Sequence, residues 1–504
     1  MRCLSPNCTV REAFIADRVI YFKKIENALS ERNTYRGDLK LTLETRLDEI
    51  DAYIAEYRDH TLDDLALLCA IPSVSAKKQA QEPCAEFVCS LYRKAGLTAR
   101  LIPIHDAPPI AYGEYRSPNP EAPTVLFYNH YDVQPAEPLE LWDSDPFTLT
   151  FRDGKAFARG VGDDKGHIVS RLLALNAIRS VNKGELPFHV KFISEGEEEV
   201  GSPHIGSFME AERDNLHADY CIWEEGGVNE EGAPYLYCGM RGIAYFELHV
   251  KTIAYDAHSG MGGSLLPNAA WRLVWALSRL KGSDERILLP GHYDRAIPAS
   301  KRDMELLGSL SNDYEDTRAK FSLPDGGFLG GDATKGTEYM RRAVFEPTLT
   351  VCGLDSGWQG AGAKTVLPSE AHAKMDFRLV PDQDPDEVHA NLKAWLVQEG
   401  FADIEVRYLG GQRPARVDPD HPFVQLAAET ATRVYGKRAV ITPIVGGSGP
   451  MWWFSNFLGL PVTAPGIEYP GVRAHAPNEN IRLDDFNKGT SHLAHLLLQL
   501  DTLS

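Results

Sequence analysis

The sequence predicts an α/β protein: a mostly parallel sheet covered by helices, with a smaller α/β unit inserted between its halves. Three observations lead there. From Thr98 onward, short apolar runs alternate with segments of helical period, as in sheets covered on both faces. Near Arg241-Gly242 the pattern changes, and Phe246, Leu248 and Val250 alternate with Glu247, His249 and Lys251 as in a half-buried antiparallel strand. Strand-like runs of the first kind return at residues 439–445 and 461–463.

Taken in order, residues 1–40 mix charges with weak periodicity and read as an extension of unknown role. Over residues 41–57, Leu41, Leu43, Leu47, Ile50, Tyr53, Ile54 and Tyr57 recur mostly at threes and fours and predict an amphipathic helix. Thr61, followed by Asp63 and Asp64, reads as the N-cap of a second helix. A third covers residues 79–95, with Gly96 as its stop. Strands follow at 98–103 and 124–128, a hairpin about Asp153-Gly154, a helix at 168–179, and strands at 188–193 and 219–223. The inserted unit offers strands at 243–252, 348–354, 371–379 and 404–408, and helices at 268–280 and 385–398. Residues 282–342 look irregular, and a helix over 483–500 closes the chain. This gives an expected division into 1–40, 41–241, 242–412 and 413–504.

The 504 residues, 43% hydrophobic, are enough for a large core. Lys and Arg number 52 against 71 Asp and Glu, a net charge of −19, which disfavours nucleic acid and anionic membranes as partners. No apolar run is long enough to span a bilayer, and no secretory signal is evident, so the expected location is the cytoplasm. The eight cysteines form no CxxC pair and are expected to be reduced, with Cys221, Cys238 and Cys352 as small core residues.

Chemistry concentrates where strands end. The run Ser194-Glu195-Gly196-Glu197-Glu198-Glu199 leaves a strand and presents four carboxylates within five residues. Taken alone, that is a solvated acidic turn, since desolvating neighbouring carboxylates is costly. Other strands, however, lead into His130 and Glu225; a Gly-rich turn carries Asp163, and His475 lies in Arg473-Ala474-His475-Ala476-Pro477. Sites in open α/β sheets gather at the carboxyl ends of strands. Two imidazoles with three carboxylates match a pair of borderline cations, zinc first, with manganese or cobalt as substitutes.

His130-Tyr131-Asp132-Val133-Gln134-Pro135, Gly160-x-x-Asp163-Asp164-Lys165-Gly166, Glu195-Gly196-x-Glu198-Glu199-x-Gly201-Ser202 and the late His475 together resemble the M20 metallopeptidases, from about residue 60 onward. The resemblance implies a two-zinc hydrolase with a catalytic domain and an inserted lid through which two copies associate. In it, Asp163 bridges the metals, His130 and Glu225 complete one ion, and Glu199 and His475 the other. Asp132 holds the second nitrogen of His130, Glu198 is the general base, and a cis peptide is expected after Asp163. Glu225 is preferred over the adjacent Glu224 on its spacing from Asp219. In the lid, Asp256-Ala257-His258-Ser259-Gly260 resembles the motif whose His reaches the partner's site to stabilise the oxyanion, with Asn268 nearby. Arg378, in Met375-Asp376-Phe377-Arg378, matches the residue that grips the substrate carboxylate, and Gly447 and Ser448 follow a strand where they can add donors to it. The expected substrate is a dipeptide or a C-terminal peptide bond next to a free carboxylate. An N-acyl-amino-acid deacylase is the alternative reading, and an inactive metal-binding dimeric scaffold a more distant one.

Overall fold

The computed structural model describes residues 42–310 and 314–503. The extension expected at 1–40, with Cys3 and Cys8, lies outside them. The strands that frame the site are β1 (Thr98–Ile104), β2 (Ala107–Tyr115), β3 (Thr124–His130), β4 (His189–Glu195), β5 (Tyr220–Ile222), β6 (Gly242–Lys251), β7 (Thr348–Ser356), β8 (Glu370–Leu379), β9 (Ile404–Gln412) and β10 (Val462–Thr463). The helices are α1 (Leu43–Cys69), α2 (Gln81–Lys94), α3 (Lys165–Val181), α4 (Ala269–Leu280), α5 (Pro385–Gln398), α6 (Pro422–Tyr435) and α7 (Leu483–Leu498).

The main sheet runs β1-β2-β4-β3-β5-β10. Strands β4, β3, β5 and β10 are mutually parallel, while β1 and β2 pair antiparallel at one edge. Alternation along β3 shows why its sequence is apolar at every position from Val125 to Tyr128. Val125 and Phe127 enter the cluster formed with α1, α2, α3 and α7, whereas Leu126 and Tyr128 enter the opposite cluster with Phe208, Met209, Trp223 and Phe454. A strand buried on both faces has no polar side to show.

The second sheet, β7-β8-β6-β9, is antiparallel throughout. One face, with Ala244, Phe246, Leu248 and Val250 on β6, packs on Leu273 and Leu280 of α4 and on Leu392 and Trp395 of α5. This separate antiparallel sheet beside a mostly parallel one is the architecture that the change of pattern at Arg241-Gly242 predicts.

The structure departs from the sequence reading at several places. Thr61 caps nothing: its Oγ1 donates to the Tyr57 carbonyl at 3.1 Å, inside one helix that runs on to Cys69. A hydroxyl bonded back one turn lets a Thr sit in a helix interior. Strand β2 is missed because Pro108 and Pro109 argue against a strand. They are tolerated because β2 pairs with β4 only over Ala111–Tyr115, beyond the prolines. The 282–342 segment contains helices Lys301–Ser309, Tyr314–Lys320 and Thr337–Phe345. The first has a capping box between Ser300 and Asp303, a signal available in the sequence. Val440–Thr442 does not rejoin the main sheet but pairs with Pro234–Tyr237 in a small separate one, so only β10 returns to the core. Cys352 is exposed, at a register shift of β7, with its Sγ 2.9 Å from Asp376 Oδ2. No described helix is long and apolar enough to cross a membrane.

Candidate metal centre

Because β4, β3 and β5 are parallel neighbours, their carboxyl ends lie side by side. His130 closes β3, directly opposite Glu195 on β4, and Trp223-Glu224-Glu225 leaves β5. The loop before α3 brings Asp163 to this edge, and the loop after β10 brings His475. Asp163 sits between the two imidazoles. Its Oδ1 is 2.9 Å from His130 Nε2 and its Oδ2 is 2.9 Å from His475 Nε2. His475 Nε2 is also 3.0 Å from Glu199 Oε2. One carboxylate thus turns one oxygen toward each histidine, as a residue shared between two cations must.

Supporting contacts fix these side chains. His130 Nδ1 is 3.3 Å from Asp132 Oδ1 and 3.1 Å from the Asp132 carbonyl, which leaves Nε2 turned toward Asp163. Asp132 also accepts from the backbone N–H of Glu198 (3.3 Å) and of Glu199 (3.1 Å), which ties the Glu198–Val200 turn to the end of β3. Gln134 was not foreseen. Its backbone N–H donates to Glu199 Oε1 (3.1 Å) and its amide to Oε2 (2.9 Å). Glu479 was not foreseen either. It accepts from Arg159 at 2.6 Å and from the backbone N–H of Gly160, Gly162 and Asp163 at 3.0, 3.0 and 3.2 Å, clamping the loop that carries Asp163. Both residues stand inside motifs visible in the sequence, but a polar residue among ligands carries no mark of which backbone it will hold. The Asp163–Asp164 peptide is cis, as the resemblance implies. Asp164 does not pair with Lys165, whose Nζ donates to the Leu68 and Ile71 carbonyls. Its Oδ2 instead accepts from Asn129 Nδ2 (2.6 Å) and the His130 N–H (3.1 Å).

The residues leaving β5 divide as alternation requires. Glu224 is buried, and one of its carboxylate oxygens groups with ligand atoms of His130 and Asp164, all within 4.8 Å. Asp163, Glu199 and His475 form a second such group. Glu225, the expected ligand, falls in neither group; burial first, and then the charge of Asp163, pushes its carboxyl up to about 8. Glu468, also unforeseen, is raised well above the ordinary carboxylate range by burial and by Glu225.

Electrostatics tests whether a cation pair fits. Burial opposes the charged form of His130, but bonds to Asp132 and Asp163 outweigh it and hold the imidazole well above its ordinary pKa. His475 is raised to about 11 by Asp163 and Glu199. Glu198 is pushed well up by burial and by Asp163 and Glu199, and Glu199 is raised by burial and Asp163. Protein charges alone therefore leave this edge short of positive charge. Of the buried guanidiniums, Arg171 is spent on the carbonyls of Tyr128, Trp223 and Glu224, and Arg159 on Glu479. Glu224 Oε2 is buried with no hydrogen-bond partner. A set of imidazole and carboxylate donors with excess negative charge and an orphaned oxygen fits two dications.

Of the other expected residues, Arg378 on β8 donates from Nη1 to Ser448 Oγ at 3.0 Å, so two of the carboxylate-binding candidates meet across the two sheets. Asp376 Oδ1 is 3.4 Å from Arg378 Nε. The Gly447 carbonyl accepts from the Arg241 N–H at 3.0 Å. Asn268 and His258 have local bonds: Asn268 caps α4 by accepting from the Trp271 N–H (3.1 Å), and His258 Nδ1 accepts from the Gly260 N–H (3.1 Å). Both stand on the second sheet's unit, and His258 Nε2 also lies 3.3 Å from Thr365 Oγ1.

A family model described as peptidase family M20/M25/M40 matches residues 126–499. The chain belongs to this family. It is accordingly a metallopeptidase, as its donor set indicates. An M20 family metallo-carboxypeptidase from Sulfolobus solfataricus superposes with a TM-score of 0.80 at 33% identity, over 87% of this chain and 98% of that one. The Cys-Gly metallodipeptidase dug1 of Schizosaccharomyces pombe is 28% identical over 486 residues, 91% of this chain and 99% of that enzyme. The Beta-Ala-His dipeptidase of Rattus norvegicus is 33% identical over 291 residues, and the match spans 57% of this chain and 58% of that enzyme.

Proposed function

We infer that this metallopeptidase is a dinuclear dipeptidase that hydrolyses the amide bond next to a free carboxylate. The observation that carries the reading is Asp163, with one oxygen toward His130 and the other toward His475. His130, Glu199 and His475 join Asp163 in holding the cations, with Glu225 or its neighbour Glu224 completing the side toward His130. Bound there, zinc, or manganese or cobalt in its place, supplies Lewis acidity toward the scissile carbonyl and toward water. Glu198, raised by burial and by its acidic neighbours, takes a proton from the attacking water and delivers it to the leaving nitrogen. Asp132 keeps the His130 tautomer and the Glu198 turn in register with each other. Arg378 with Ser448 and the Gly447 backbone receives the substrate carboxylate. The similarity to dipeptidases named for Cys-Gly and Beta-Ala-His supports dipeptides as the substrate class.

The reading divides the described chain into a catalytic domain, 41–241 with 413–504, and a lid, 242–412. Two copies pair through the lid, and His258 reaches the partner's site with Asn268 beside it. Exposed Tyr255, Met261, Leu265, Trp271 and Trp275 around His258 supply apolar area for that pairing. The free cysteines among the described residues suit a reducing, cytoplasmic setting.

The experiment is a panel of dipeptides and N-acetyl amino acids assayed with wild type and Glu198→Gln. Dipeptides turn over, and the variant loses at least about a hundredfold in kcat, the lower range for losing an acid–base group, while retaining metal. Turnover of acylated amino acids alone refutes the dipeptidase assignment, and wild-type rates in the variant refute the role of Glu198.

A further inference from the structure

One transverse row of the second sheet reads Asp355, His372, His249 and Glu405 across β7, β8, β6 and β9. Directly opposite residues of antiparallel strands project to one face, here the face not covered by α4 and α5. The two imidazoles stack with centroids 4.4 Å apart and planes 15° apart. His249 Nε2 is 3.6 Å from Glu370 Oε2, and its Nδ1 is 3.6 Å from Glu405 Oε2; His372 Nδ1 is 3.5 Å from Glu247 Oε1.

These separations are long for hydrogen bonds, which centre near about 2.9 Å. The separation between His249 Nε2 and Glu370 Oε2 suits atoms that share an ion, since two ligands at about 2.1 Å from a tetrahedral centre lie about 3.4 Å apart. A ligand atom from each of His249, Glu370 and His372 lies within 4.8 Å of one from both others. His249 Nε2 is sealed from solvent with no hydrogen-bond partner among the described residues. Lys251 holds Glu370 by Oε1, so Oε2 faces His249 Nε2. Glu405, held at Oε1 by Arg407 Nε (3.0 Å), faces the other nitrogen, Nδ1, and anchors the ring from that side.

We propose that His249, His372 and Glu370 form a binding site for a further divalent cation of the zinc, nickel and copper class. Two imidazoles with carboxylates select these ions over magnesium or calcium. The site clips β6 to β8 on the open face of the sheet. It goes beyond the hydrolytic reading and does not rest on it.

The test is zinc stoichiometry on metal-stripped full-length protein, by equilibrium dialysis with elemental analysis. Wild type binds three equivalents, and His249→Gln/His372→Gln binds two with dipeptide hydrolysis unchanged. Glu370→Gln, which leaves both rings in the sheet, weakens the third equivalent at least tenfold and carries the test if the double variant does not fold. A drop from one equivalent to none in the double variant sustains this site and removes the dinuclear reading instead. Equal stoichiometry and affinity in wild type and Glu370→Gln overturn the proposal, as does a third equivalent that binds only at millimolar zinc.

Discussion

Glu479→Gln probes how the bridging residue is held. Oε2 of Glu479 accepts from Arg159 Nη1 and the Gly160 N–H, and Oε1 accepts from the Gly162 and Asp163 N–H groups. Four donors converge on two oxygens, and the side chain is fully buried. An amide has one oxygen, so in either orientation its NH2 confronts two donors and two charge-assisted bonds are lost. At about 1.5–3 kcal/mol for each bond to a charged group, the loss is about 3–6 kcal/mol. Breaking a buried ion pair by removing one partner costs a similar amount, about 3–5 kcal/mol, and Arg159 is left buried without its carboxylate. Against a total stability of about 5–15 kcal/mol, that is a large fraction. The displaced loop also carries Asp163, so metal affinity falls by about ten- to a hundredfold, as for other outer-shell partners of metal ligands. Denaturant unfolding of metal-stripped protein measures the first effect, and zinc titration of folded protein the second. A variant with wild-type stability and wild-type zinc affinity refutes the clamp.

Further expectations concern the substrate carboxylate and pH. Arg378→Ala raises KM for dipeptides by about 10- to 100-fold, the equivalent of about 1.5–3 kcal/mol for a bond between charged groups, whereas Ser448→Ala, which removes one neutral hydroxyl, costs about fivefold; steady-state kinetics separate them, and equal effects would show that Arg378 does not contact the carboxylate. His492 is buried, and desolvation holds its imidazole down to about 4. The unfolded chain therefore binds the extra proton between about pH 6.5 and pH 4, and stability is lost as pH falls through that window. The effect is on the order of 3 kcal/mol, and unfolding free energies measured across the window lose that share of their slope in His492→Gln.

The fold class was legible because apolar periodicity reports burial directly. Strand β3 is apolar at every position from Val125 to Tyr128 because both of its faces are covered, and β6 alternates because one face is open. What was not legible depends on partners remote in sequence. Pro108 and Pro109 fit a strand only because pairing with β4 starts beyond them, at Ala111, and Val440–Thr442 reads like any core strand until its partner is known. At the metal centre, the position of His130, Asp163, Glu199 and His475 could be anticipated from residue type and order. The clamps could not. Gln134 and Glu479 act by holding backbone N–H groups, and nothing in a side chain's identity says which amide it will meet. The choice between Glu224 and Glu225 shows the same limit: alternation says that the two residues diverge, and the side each takes depends on strand twist and on the acids waiting there.

The centre at the edge of the main sheet also sets a clock. His130, Asp163, Glu199 and the acids after β5 belong to segments well separated in sequence, and His475 arrives only after the whole second sheet has intervened. Contacts of such long range form slowly, because loop closure precedes any reward. No partial chain lacking β10 and the loop beyond it presents the second oxygen of Asp163 with its histidine. Tight cation uptake thus follows completion of the sheet, and the time course of zinc capture during refolding reads out the arrival of the last segment.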